Sequence, residues 1–70
     1  MQALNDYIIV VPDKKGFWNN GPYNTGTVDS VSTQLTDHPV KSGDEVWFVE
    51  SEIVAEGFMA VSYKNIIAIL

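Results

Sequence analysis

The chain has 70 residues, 46% of them hydrophobic, and it sets four Lys+Arg against nine Asp+Glu for a formal net charge of −5. That length allows one domain. The only basic residues are four lysines (Lys14, Lys15, Lys41, Lys64), so there is neither the clustered footprint that nucleic acid requires nor an attraction to an anionic membrane surface.

Cysteine is absent and His38 is the single histidine, so a disulfide framework is excluded and a structural zinc site is not expected. A domain of this size buries only about 60% of the surface that its unfolded chain exposes. Small domains are normally stapled by a disulfide, a metal or a partner chain. With the first two removed, association with other chains is the expected source of extra stability. No apolar run approaches the roughly 20 residues of a membrane span. The opening Met1–Asp6 lacks the basic and apolar regions of a signal peptide. The expected location is cytoplasmic, with incorporation into a virion as the alternative.

The first predicted strand is Tyr7–Val11, β-branched and aromatic and ended by Pro12. Its apolar character on both faces implies burial on both sides, or a core on one side and a neighbouring chain on the other. Residues 12–25 form a predicted loop with Asp13–Gly16 at its start and an Asn-Gly turn signal at Asn20–Gly21. Phe17, Trp18 and Tyr23 stand in this polar loop. They either fold back as a lid over the core or dock onto a partner, since aromatic residues dominate interface hot spots.

Gly26–Ser32 reads as a strand with one exposed face, and Thr33–Pro39 as a loop in which His38 is a solvated residue. Lys41–Asp44 is a predicted turn, with Gly43 available for positive φ and Asp44 able to accept from nearby amides. Glu45–Val49 follows as a strand dense in large side chains. Ser51–Ala55 is a short strand turned at Glu56–Gly57 into a further strand, Phe58–Val61. Ser62–Asn65 is a connector of about one helical turn, and Ile66–Leu70 is a wholly apolar final strand. Short strands separated by turn signals point to an all-β barrel or small sandwich. Apolar strands at both ends of the chain would be aggregation-prone edges in an isolated molecule. They are expected to be covered by each other or by neighbouring subunits, and repeated head-to-tail pairing would close a ring.

Taken in order, four segments resemble the co-chaperonin, or GroES-like, family, the lid proteins of the large chaperonins. Leu4–Val10 resembles the family's opening strand, with an aspartate before a V-I-V-like run. Thr25–Ser32 resembles its Gly-x-Val-x-x-Val strand. Val40–Phe48 (VKSGDEVWF) resembles its V-K-x-G-D-x-V-x-F motif, and Ser62–Leu70 (SYKNIIAIL) stands where the family has S-E-x-D-I-L-A-I-V. The resemblance implies that residues 1–70 form a single small, partly open GroES-like β-barrel with a short loop at 12–25. It also implies a homo-oligomeric ring, typically of seven subunits in the family, built by pairing the first strand of one subunit with the last strand of the next. The interface residues would be Tyr7, Ile8, Ile9 and Val10 against Ile66, Ile67, Ile69 and Leu70.

The family grips its chaperonin through an aliphatic tripeptide in a long loop after the first strand. Here that loop is cut to about a dozen residues and the triplet is missing. Gly16-Phe17-Trp18 is the nearest substitute, with Tyr23 beside it as a further partner-binding aromatic. The roof-forming loop is reduced to Thr33–Pro39. Such reduction is expected of virus-encoded members. Two functions follow: a co-chaperonin that docks on a chaperonin to assist folding, or a structural protein, decorating a virion or associated with its head and contacting capsid proteins, that reuses the barrel. Catalysis is not expected, because no nucleophile–base pair, metal cluster or phosphate loop is present. Asp44, Glu45, Glu50, Glu52 and Glu56 read as a solvated face, and no cofactor is implied.

Overall fold

The computed structural model describes residues 1–12 and 24–70, with Asn24 described by its backbone alone. Six strands occur in the order β1 (Tyr7–Pro12), β2 (Asn24–Val31), β3 (Glu45–Phe48), β4 (Ser51–Ala55), β5 (Phe58–Ser62) and β6 (Ile66–Ile69). Tyr63–Asn65 makes a single 3-10 turn before β6. The all-β expectation holds. All five strand pairings are antiparallel and belong to one sheet, ordered β4-β5-β1-β2-β3-β6.

This order forces the sheet to curl. β5, β1 and β2 stand between β4 and β3, so four strand spacings separate those two. On a flat sheet that is about 19 Å. Yet only Val49 and Glu50 link β3 to β4, and the step from Phe48 to Ser51 spans at most about 10 Å. The same argument applies to the short link from β5 to β6. The two links meet where the Val49 amide donates to the Asn65 carbonyl at 3.0 Å. The sheet nevertheless does not close: β4 and β6 are its two edges and are not paired with each other.

The concave side holds the main core of Ile8, Val10, Val28, Val40, Val46, Phe48 and Val61. Alternation delivers these residues, because cross-strand partners share a face: Val10 lies opposite Val28 and Ile8 opposite Val61. A register shift at Ile9/Val10 accommodates an extra residue on β2. On the other side of β1, Ile9 packs with Ala3, Ala60 and Phe58 in a second, smaller cluster. β1 is therefore covered on both faces by its own chain.

The Gly-Asp turn is fastened to β2. The Gly43 amide donates to the Val28 carbonyl and the Val28 amide to the Asp44 carbonyl, both at 2.8 Å. The Asp44 carboxylate accepts from the Lys41 amide at 2.8 Å, and the Ser42 hydroxyl donates to the Asp29 carbonyl at 3.0 Å. Gly43 has φ +94, a left-handed conformation that favours glycine. This turn carries Val40 into the core, where Val40 is 3% exposed.

Candidate interaction surface

The terminal strands differ in what they leave open. β1 lies between β2 and β5, with hydrogen-bonded partners on both sides. Ile8 and Val10 are fully buried and Ile9 nearly so, while Tyr7 alone of the four expected interface residues on this strand is exposed. The sequence expected this strand to pair with a neighbouring chain; within its own chain Ile8–Val10 has a paired strand along each backbone edge. Its two apolar faces are covered by the main core and by Ala3 with Ala60. The run reads identically in sequence whichever chain provides the cover.

β6 is different. It pairs with β3 on one side only, Val46 opposite Ile69 and Phe48 opposite Ile66. Ile66 packs against the main core, and Ile67, Ile69 and Leu70 are exposed. The Leu70 amide still donates to the Glu45 carbonyl at 2.7 Å, so the strand is held to β3 to its last residue. Between β6 and the segment ahead of the Gly-Asp turn runs a groove of about 460 Å3 whose walls include Pro39, Tyr63 and Ile67.

The second free edge, β4, carries no interface call in the sequence. Ile53 is 79% exposed and Val54 46%. Beside β4 the N-terminal segment folds back over Ile9, leaving a groove of about 440 Å3 that includes Met1, Leu4, Tyr7 and Val54. The segment is held by Asn5, at φ +60, whose amide donates to Gln34 Oε1 at 2.6 Å, and by the Tyr7 amide on the Leu4 carbonyl at 3.0 Å. The one sequence signal for this edge is Ile53-Val54 standing between Glu52 and Glu56. A short strand with an acid within it and another just after it is easily passed over as solvated.

Phe17, Trp18 and Tyr23, the expected partner-binding aromatics, lie outside the described residues. His38 is not the freely solvated residue that the loop composition implied. It is half-buried, its ring meets Tyr63 edge-on with centroids 5.9 Å apart, and its Nδ1 is buried without a hydrogen-bond partner. Of the five carboxylates read as a solvated face, Glu45, Glu50, Glu52 and Glu56 are exposed and Asp44 is half-buried by its turn. A polar groove of about 390 Å3 beneath β4 brings Glu50, Glu52 and Asp6 near Lys64. Among the described residues no cluster of three or more metal-ligating side chains occurs and no helix is long and apolar enough to cross a membrane. No protein-family model matches the chain, and a search of curated proteins found no significant match.

Proposed function

We propose that the chain is a co-chaperonin-like protein whose copies associate through their sheet edges into a ring that docks on a chaperonin to assist folding. The observation that carries this reading is the co-linear set of four motif-like segments, together with the structural work each does in the chain. The Leu4–Val10 run becomes the central strand β1. The Gly26–Val28 segment lies across β1 and receives the Gly43–Asp44 turn of the VKSGD motif. The closing NIIAIL segment forms an edge with apolar side chains exposed. Each resembling segment supplies a pairing or a core residue, and none is left as decoration.

A second reading, a structural protein that reuses the barrel in a virion or its head, draws on a different observation. The 33–39 segment is pulled onto the body of the molecule, with Leu35 against the core and His38 against Tyr63. A ring of such subunits has no tall roof to seal a chamber.

The test is a pull-down and ATPase assay with a purified chaperonin, beside native mass spectrometry of the chain alone. The co-chaperonin reading expects a ring, and chaperonin binding that is lost in the Phe17→Ala, Trp18→Ala double variant. Binding that ignores both substitutions, or no binding at all, sinks it. Symmetric copies in a purified virus particle favour the structural reading.

A further inference from the structure

Among the described residues the sheet has two unpaired edges, and their chemistry is complementary. β4 offers a free backbone edge beside an apolar groove bounded by Met1, Leu4, Tyr7, Ile9, Val54 and Ala60. Exposed acids surround it: Glu50 and Glu56 at the ends of the strand and Glu52 within it. A strand received here should therefore be apolar, have its own free edge, and be flanked by positive rather than negative charge. β6 meets all three requirements. It is Ile-Ile-Ala-Ile with no charged residue, one of its edges is open, and Lys64 stands two residues ahead of it.

Self-pairing of β4 is opposed by the same charges. Two antiparallel β4 strands centred on Ile53 would set Glu50 of one copy against Glu56 of the other, and like charges facing across a strand pair are destabilising. Self-pairing of β6 would leave Ile53 and the groove uncovered. Addition of one strand to another's edge satisfies both sets of unpaired amides and carbonyls at once.

We propose that β4 of one copy receives β6 of a second copy, antiparallel, with Val54 opposite Ile67, a register that sets Glu56 opposite Asn65 and one position from Lys64. The inference rests on the reading that the chain self-assembles, but it names a different pair of strands from the first-with-last pairing that the family resemblance implies. Because the two surfaces differ, the contact is heterologous, and repetition yields a ring or an open chain according to the rotation between copies.

The absence of cysteine makes a clean test possible. Val54→Cys protein and Ile67→Cys protein are prepared separately, mixed, and oxidised under native conditions. Both positions are about half exposed, so neither substitution removes core packing. Directly opposed residues on paired strands lie within disulfide reach. The expected result is a disulfide-linked heterodimer in the mixture, in excess over the homodimers formed by either variant alone. Lys64→Glu should lower its yield several-fold, and Glu56→Lys on the opposite copy should restore it.

Homodimers as abundant as the heterodimer overturn the proposal. So does the absence of a cross-link in protein that native mass spectrometry shows to be assembled, and so does a chain that stays monomeric. The functional reading fails separately: a cross-link with no chaperonin binding keeps the strand pairing and discards the co-chaperonin. Chaperonin binding by an assembly that does not cross-link does the reverse.

Discussion

The Ser62 hydroxyl donates to Asp6 Oδ2 at 2.6 Å, joining the residue before β1 to the last residue of β5. The Asp6 carbonyl also accepts from the Tyr63 amide at 2.8 Å. Asp6 thereby holds the start of β1, the end of β5 and the turn into β6 in one place. Ser62 is buried, so its hydroxyl depends on this partner.

Asp6→Ala should therefore cost about 1–3 kcal/mol, the penalty for leaving a buried hydroxyl unpaired. Urea unfolding followed by tryptophan fluorescence measures it. An unchanged midpoint would mean that water replaces the carboxylate at no cost and that the link is incidental.

Gly26 is required by close approach. A Cβ at this position would run into Val10 Cγ1 and would sit 2.7 Å from the Val11 carbonyl oxygen, which belongs to the backbone and has no rotamer in which to yield. Gly26→Ala should cost about 1–3 kcal/mol by overpacking. Gly57 has open space but φ +80, so Gly57→Ala should cost about 1–2 kcal/mol through backbone strain alone. Crystal structures of the two variants would distinguish the mechanisms: β1 displaced from β2 in the first, only the β4–β5 turn altered in the second.

Among the described residues Phe48 is the largest fully buried side chain. Phe48→Ala should cost about 3–5 kcal/mol. A domain of this size has about 3.5–10 kcal/mol in total. The variant should therefore melt far below the parent, a result readable by circular dichroism. Retention of a cooperative melt at the parent temperature would place the core elsewhere.

His38 buries an Nδ1 that has no partner while its ring meets the edge of Tyr63. His38→Phe keeps the aromatic contact and removes the unpaired nitrogen. The expected effect is neutral to about 1 kcal/mol stabilising. A loss of stability by thermal melt would show that the imidazole has a partner in solution.

The local elements of this protein were legible because their causes are local. The β-branched and aromatic run after Asp6 forms β1, which takes in Pro12 as well. Lys41–Asp44 turns because Gly43 tolerates positive φ and the Asp44 carboxylate reaches the Lys41 amide, three residues away. Glu56–Gly57 turns β4 into β5, and Tyr63–Asn65 supplies the single helical turn that the connector suggested.

The sheet order was not legible, because strand pairing joins residues far apart in the chain. An apolar run such as Tyr7–Val11 needs cover on both faces, and sequence does not say whose side chains provide it. Ala3 and Ala60 cover Ile9, and neither stands out in the sequence. Pairing of β5 along the second edge of β1 makes β1 an interior strand and leaves β4 at the edge. The character of His38 was hidden for the same reason, since its neighbour is Tyr63 in the far part of the chain. By itself, then, the sequence determined an all-β chain of short strands and its turns, products of local backbone preference. Only the tertiary structure decided which strands are central and which two edges remain open, because that depends on which distant segments satisfy one another's backbone hydrogen bonds.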